Sequence, residues 1–432
     1  MKKKILFISR DFWPKSNGTI SCLENFLPYL GEKYDVILYS AKNSLNTSST
    51  EEYNNITIKR PMSFWDNFIL MKLYILGKLE RLGLNKLIKK ILIIIVKIIF
   101  LFPLSIAKRS GIIYGWEKNL IKYLRKHEDL ESFDIIIAVG APFLNIRSAY
   151  NIKLENQHLN FIMIQFDLYT DNPIALIEDT KFNLRNSRLD EEQRWYEIAD
   201  IVLVTNEMNN TIMNSELKAW DSKTFAINMP NLSDILNHNS NYIFNNDNDD
   251  INIVYTGTLY EDIRNPTFSL EIFNLITRKD PRIKIHILGS GCEEIIKEYK
   301  IKMGENLIFY GHQSKGFSID AIYSSDFMLN ISNRTTSQAP SKILEYIGSC
   351  KPIINIYNVK DDICKIMLGN YPLNLSIKED YSKLNKLSNE VYEFILNSMG
   401  KKCSFNDVKQ NYKEYLPETF TNKIIKLIEK QQ

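Results

Sequence analysis

Residues 338–354 read QAPSKILEYIGSCKPII, a complete helix-to-strand unit. Pro340 suits the first turn of a helix, where its missing N–H costs nothing. Ile343, Leu344 and Ile347 then give an apolar stripe, and Gly348 is expected to end the helix in a left-handed cap. Lys351-Pro352 leads into a short apolar strand, 353–356. Ser341 and Lys342 fall in the first turn of this helix, and Glu345 falls mid-helix. A helix N-terminus carries unpaired N–H groups and partial positive charge, so it holds phosphate. A carboxylate one turn further in can accept hydrogen bonds from vicinal sugar hydroxyls. The stretch has the makings of a nucleotide-sugar clamp.

Working outward, the second half of the chain repeats strand, glycine turn and helix. Strand 251–256 leads into Gly257, with a helix from Thr267. Strand 283–288 leads into Gly289-Ser290-Gly291, strand 306–310 into Gly311-His312, and strand 327–331 precedes the quoted stretch. The first half shows the same alternation. Strand 4–9 is followed by a helix over 19–30 that Gly31 is expected to stop, then by strands 35–40, 133–139, 161–165 and 200–205. Short apolar strands separated by amphipathic helices predict an α/β architecture of parallel sheets covered on both faces. Residues 229–250 are polar, Asn-rich and aperiodic, which reads as a linker. The expected organisation is two doubly wound, Rossmann-like domains, 1–228 and 251–405, facing a cleft, followed by helices over 406–432. Ligands of such sheets bind beyond the carboxyl ends of the strands.

Length supports this division, since 432 residues exceed one ordinary core. A net charge of +3 gives no nucleic-acid signal, and no nucleic-acid partner is expected. The five cysteines lack C-x-x-C spacing, so neither zinc nor a disulfide framework is expected and a reducing, cytoplasmic compartment is favoured. The N-terminal apolar run is too short for a secretory signal and reads as a first buried strand.

One segment departs from the alternation. Within an insertion over 61–126, residues 84–109 (LNKLIKKILIIIVKIIFLFPLSIAKR) are the most hydrophobic of the chain. Their charge-free runs fall short of the roughly 20 apolar residues that span a bilayer. On a helix of about 100° per residue, Lys86, Lys89, Lys90 and Lys97 share one narrow arc, and the rest of the cylinder is apolar. From Leu84 to Phe102 such a helix suits the plane of an anionic membrane surface. A buried helix with its lysines at one edge is the alternative.

Several loops carry candidate chemistry. Residues 257–266 read GTLYEDIRNP, where Gly257 permits a sharp turn and Arg264 precedes a helix start. A guanidinium there forks onto phosphate oxygens, unless Glu261 or Asp262 pairs with it. Gly289-Ser290-Gly291 is not G-x-G-x-x-G, so no dinucleotide fingerprint is present. Gly18, in the first strand–helix loop, permits close backbone approach by a diphosphate, or is a plain turn. In FDLYTDNP (166–173), Asp167 and Asp171 are placed to meet sugar or acceptor hydroxyls, or to cap a turn. His286 lies inside a strand and reads as structural; His312 ends one and reads as exposed. No metal-like histidine pair and no Ser/His/Asp constellation is evident.

The pattern P-S-K-x-x-E-Y-x-x-x-x-K-P from Pro340 to Pro352 resembles the donor-site signature of GT-B glycosyltransferases of the retaining family 4, the glycosyl transferases group 1. Ala199-Asp200 opening a strand, Gly257 with a basic residue seven positions on, I-L-G-S-G at Ile287–Gly291 and F-Y-G-H at Phe309–His312 agree in order. The resemblance implies that Glu345 binds the donor ribose, that Arg264 neutralises the diphosphate, and that backbone around Gly18 approaches the phosphates, with Gly257 and Gly289 counted among the donor-binding residues. It places Gly311 and His312 near the base, and Ser341 and Lys342 at the helix start beside the donor. Two family positions differ: Ser337 stands where the first glutamate is usual, and Thr258 where a second basic residue is usual.

The implied activity is retaining, metal-independent transfer of a hexose-type unit from a UDP- or GDP-linked sugar, with Arg264 and Asp167 as the catalytic candidates. The implied acceptor is a membrane-associated, polyprenyl-linked glycan of capsule-type polysaccharide synthesis at the inner face of the plasma membrane. The implied C-terminal helices cross back to the first domain. A non-catalytic GT-B-like partner subunit and a sugar-nucleotide epimerase are the alternatives.

Overall fold

The computed structural model describes residues 2–15, 17–62, 64–82, 86–109, 115–172, 185–237, 240–244, 249–335 and 341–431. Ser337 and Pro340 lie outside the described residues. The chain divides into two compact units. Met1–Thr205, Ile212–Ile227 and Lys423–Gln432 form the first, and Asn206–Thr211 with Asn228–Asn422 the second.

In the first unit the strands are β1 (Lys4–Ile8), β2 (Asp35–Tyr39), β3 (Thr50–Tyr53), β4 (Ile56–Lys59), β5 (Ile135–Val139), β6 (Asn160–Gln165), β7 (Ile201–Thr205) and β8 (Thr224–Ile227). Their order is β3-β4-β2-β1-β5-β6-β7-β8, with every pair parallel except β3 and β4. The inner strands are covered on both faces, so their residues form near-continuous apolar runs such as the buried Ile-Ile-Ile-Ala-Val of β5. The order reverses between β1 and β5, and Asn145 bridges that point. Its Oδ1 accepts from the Arg10 N–H at 2.9 Å, and its amide donates to the Val139 carbonyl at 2.8 Å.

Three sequence expectations change here. Gly31 does not stop the first helix, which runs Gly18–Lys33. A Cβ at Gly31 would lie 2.4 Å from the Asn55 carbonyl oxygen, so glycine is there to let the β3–β4 turn sit against the helix. That hairpin was not anticipated; its turn residues Asn54 and Asn55 have φ of +43° and +68°, which asparagine tolerates. The edge strand β8 also escaped the periodicity.

The second unit contains β9 (Ile251–Thr256), β10 (Ile283–Leu288), β11 (Leu307–Gly311), β12 (Phe327–Ile331), β13 (Ile353–Tyr357) and β14 (Asn374–Lys378). Their order is β11-β10-β9-β12-β13-β14, all parallel. This doubly wound order places a switch point between β9 and β12, where neighbouring crossovers leave in opposite directions and a crevice opens at the carboxyl ends. The Asn-rich segment after Ile227 packs against this unit. Asn231, Leu232 and Ile235 are buried, the Ile243 N–H donates to Ser324 Oγ at 2.9 Å, and Phe244 stacks on His286. The closing helix Pro417–Lys430 begins in the second unit and ends in the first, where Gln431 donates to the Asp200 carbonyl at 2.9 Å.

Lys351 is almost fully buried and donates to the carbonyls of Ile322, Tyr323 and Ser325 at the end of the Lys315–Ser324 helix. It therefore closes a helix C-terminus rather than meeting solvent. His286 sits inside β10, between Asn252 Oδ1 at 2.9 Å and the Tyr310 hydroxyl at 3.0 Å. Burial, helped by the Lys284 ammonium, pushes its pKa down from 6.5 to about 4. The fold thus holds His286 neutral, and the unfolded chain takes up the proton first as pH falls. Its stabilisation is full above pH 6.5 and is lost as pH falls from 6.5 toward about 4. Urea unfolding of the protein and of His286→Gln should show a stability gap that narrows across this window. A gap independent of pH would contradict the neutral assignment.

Within the insertion the helices Phe64–Arg81 and Lys86–Arg109 pack together, with the Phe68 and Phe100 rings 4.6 Å apart. Among the described residues no helix is long and apolar enough to cross a membrane. Leu92, Ile93, Val96 and Phe100 are at least partly covered, whereas Ile88, Ile91, Ile94, Ile95, Ile98 and Ile99 are exposed. Lys86, Lys90 and Lys97 are exposed beside this isoleucine face. Lys89 departs from the expected stripe: it is half-buried and donates to the Glu80 carbonyl of the other helix.

Candidate functional site

At the carboxyl ends of β9, β10 and β11 the loops are joined backbone to backbone. The Gly257 N–H donates to the Leu288 carbonyl at 2.8 Å, Leu259 N–H to Ser290 at 2.8 Å, and Gly289 N–H to Gly311 at 2.9 Å. This packing is what requires glycine. A Cβ at Gly289, whose φ is +157°, would sit 1.8 Å from the Gly257 carbonyl oxygen. One at Gly291 would sit 2.0 Å from the Leu259 carbonyl oxygen. The Gly-Ser-Gly turn is therefore shaped by its own neighbouring loop. Gly311 has φ of +67° and carries the chain into the exposed His312.

After Gly257 the chain doubles back in a tight turn. Tyr260 and Arg264 exchange backbone hydrogen bonds of 3.2 and 2.8 Å, and Asn265 Oδ1 accepts from Thr267 N–H at the start of the Thr267–Lys279 helix. This brings the half-buried Arg264 side chain back over the end of β9. Its Nε and Nη2 donate to Asn333 Oδ1 at 3.0 and 2.7 Å, and its Nη1 donates to the Thr258 carbonyl at 3.0 Å. The buried Tyr255 hydroxyl donates to the same carbonyl at 3.3 Å. Glu261 and Asp262 are exposed, and among the described residues no carboxylate pairs with Arg264. Its acceptors among the described residues are uncharged oxygens, so none of them offsets the guanidinium's charge. Arg264 follows β9 and Asn333 follows β12, so this charge stands at the switch point of the sheet.

The opening helix runs only from Lys342 to Gly348, with Ser341 as its N-cap. Glu345 is consequently in the first turn rather than mid-helix. Seven residues also give a weak macrodipole, so the terminus carries less of the phosphate argument than its sequence suggested. Gly348 is not a left-handed cap; a Cβ there would lie 2.1 Å from the Ser233 carbonyl oxygen, and the left-handed residue is Cys350, φ +57°. Lys342 Nζ lies 2.7 Å from Glu345 Oε2, so the two charges offset each other, and Glu345 is 7% exposed. The helix is tied to β9 by Tyr346, whose buried hydroxyl accepts from Thr256 N–H at 2.7 Å and donates to Thr256 carbonyl at 3.1 Å. Gly257, Arg264, Gly289, Gly311 and the Ser341–Glu345 turn are thereby assembled at one end of one sheet.

Gly18 and Asp167 belong to the first unit. Gly18 is the first residue of its helix, behind Asn17, whose Oδ1 accepts from the Ile20 N–H at 2.8 Å. Asp167 is half-buried in the loop 166–172 beyond β6. That loop is pinned by two glutamates on the Arg185–Ile198 helix that sequence reading missed. Glu191 accepts the Tyr169 hydroxyl at 2.6 Å and a bidentate pair from Arg147 at 2.6 and 2.9 Å. Burial opposes its ionisation, but these bonds outweigh it and hold its pKa below the ordinary value. Glu192 is 2% exposed and accepts from Gln165 at 2.8 Å and Thr170 N–H at 3.1 Å; burial pushes its pKa up. Asp171 is held by Arg185 at 2.9 Å.

No family profile and no curated protein matches the sequence. Solved structures do match its fold along nearly the whole chain. Sucrose-phosphate synthase from Thermosynechococcus elongatus matches with TM-score 0.60 at 12% identity, covering 100% of this chain and 99% of that one. Anabaena HepE, solved with UDP and glucose, matches with TM-score 0.57 at 10% identity, covering 99% of each chain. A UDP-N-acetylglucosamine 2-epimerase matches with TM-score 0.54 at 11% identity, covering 99% of this chain and 96% of that one. The fold is GT-B: two Rossmann-like parallel-sheet domains.

Proposed function

We propose that the protein is a glycosyltransferase that takes a hexose-type unit from a UDP- or GDP-linked sugar and passes it to a polyprenyl-linked glycan acceptor. The observation that carries this reading is Arg264, a guanidinium held by uncharged oxygens at the switch point of the second unit. In that place it meets the diphosphate and stabilises the negative charge that grows as the glycosidic bond breaks. Glu345 takes the ribose hydroxyls, Ser341 and Lys342 line the turn beside it, and the exposed His312 borders the base. Asp167 and the Gly18 helix start serve the acceptor and phosphate side. The reaction is retaining and needs no metal in this reading, because the guanidinium carries the leaving group's charge and the leaving phosphate takes the acceptor's proton. A role in capsule-type polysaccharide synthesis, on the family 4 pattern, fits the Pro340–Pro352 signature.

The helices Phe64–Arg81 and Lys86–Arg109 add the membrane surface. Six exposed isoleucines beside three exposed lysines suit insertion into an anionic bilayer face, which supports a peripheral station on the inner leaflet, beside the acceptor. Changing Lys86, Lys90 and Lys97 to glutamine should reduce flotation with phosphatidylglycerol vesicles, while Lys89→Gln, at the half-buried position, should change it little. Equal flotation of triple mutant and parent would remove the lysines from this role.

The epimerase among the structural neighbours motivates a second reading, in which sugar-nucleotide product forms with no acceptor present. Incubating the protein and native membranes with UDP- and GDP-sugars separates the readings. Nucleoside diphosphate release that depends on acceptor membranes supports transfer. An epimeric sugar nucleotide without membranes supports epimerisation, and neither product with any sugar nucleotide would support a non-catalytic partner subunit.

A further inference from the structure

We propose that Asn333 is a positioning residue that fixes Arg264 with a neutral oxygen so that the guanidinium keeps its charge for the donor's diphosphate. The inference rests on the donor reading above and assigns a part of that site which no sequence motif marks. Asn333 is 4% exposed and lies at the end of β12, 69 residues from the arginine it holds. Arginine only donates, so the side-chain atom facing it must be the amide oxygen. That one oxygen takes both Nε and Nη2, at 3.0 and 2.7 Å, which fixes the plane of the guanidinium as a carboxylate would. A carboxylate would also cancel the charge.

The residues on either side of Asn333 each engage a carboxylate. Ser332, one residue before, donates to Asp362 Oδ1 at 3.1 Å, and the same oxygen accepts from Lys365 N–H at 2.8 Å. Arg334, one residue after, pairs with Glu379 at 2.9 Å, and its N–H donates to the Ile263 carbonyl at 2.8 Å. Residues 332–334 therefore occupy both neighbouring acids with Ser332 and Arg334 while presenting only an amide to Arg264. An ordinary structural arginine gains from a carboxylate partner, whereas an anion-binding one loses by it. The choice of asparagine at this position separates the two.

Asn333→Asp tests the idea because structure and function pull in opposite directions. If Arg264 is there for an anion, the new carboxylate should hold or raise the midpoint of thermal unfolding while weakening calorimetric binding of UDP or GDP by about tenfold or more. Binding of the matching nucleoside, which has no phosphate, should not change. Asn333→Leu, which removes the acceptor and keeps the charge, is the second variant and covers misfolding of the first. It should weaken the nucleoside diphosphate by a smaller factor, about threefold to tenfold, and again spare the nucleoside. Folded variants that bind UDP and GDP as the parent does would overturn the assignment of Asn333 alone. A parent that binds neither nucleotide would overturn the donor reading beneath it.

Discussion

Replacing Arg264 with methionine is expected to weaken binding of the nucleoside-diphosphate donor by about 2–4 kcal/mol, roughly 30- to 1000-fold in dissociation constant. The size follows from what the residue is. Its guanidinium is half-buried, its acceptors are an amide oxygen and a peptide carbonyl, and among the described residues no carboxylate offsets it. A diphosphate seated there would be its charge partner. Methionine fills a similar volume, so the loop after β9 should survive with the turn bonds between Tyr260 and Arg264 backbones intact. Turnover should fall more than ground-state binding, because charge on the leaving diphosphate is largest in the transition state. Isothermal titration with the nucleoside diphosphate and initial rates with the full donor would measure the two effects separately.

Glu345→Ala is expected to cost about 1.5–3 kcal/mol of donor binding, roughly 10- to 150-fold, if its carboxylate accepts the ribose hydroxyls. The structure sharpens the control for this experiment. Glu345 is paired with Lys342 three residues earlier, and a partly exposed helix pair of that spacing contributes only a few tenths of a kcal/mol. Lys342→Ala therefore should change donor affinity far less than Glu345→Ala. If the two variants lose the same affinity, the glutamate acts only as the lysine's partner, and the ribose assignment fails.

The inner strands were legible because both faces of a parallel sheet are buried. Runs such as IIIAV in β5 and IVLVT in β7 carry no polar residue until the last position. Edge strands lack that constraint. β3 reads TEEY, β8 TFAI and β14 NLSIK, each partly exposed, so periodicity passed over them. The Asn54-Asn55 pair is the local signal for the β3–β4 hairpin. Glycines showed where the chain turns but not what it turns against. Gly31, Gly289 and Gly348 each answer to a backbone oxygen from another part of the chain.

Arg264 could be picked out from its place before a helix, while its holder could not. Asn333 reaches it only because β9 and β12 are neighbours in the sheet, and nothing in the residues around Asn333 reports that. Glu191 and Glu192 were hidden for the same reason. In the sequence they belong to a strongly polar helix, RNSRLDEEQRWYEI, and their burial is decided by Gln165, Thr170 and Arg147 on other elements.

Titration of UDP and GDP into the parent protein and into Arg264→Met tests the anion site at Arg264 most directly. One of the two nucleotides should bind the parent, and its affinity should fall at least about 30-fold in the variant, with the matching nucleoside unaffected. Equal affinity in parent and variant, with both folded, would contradict it.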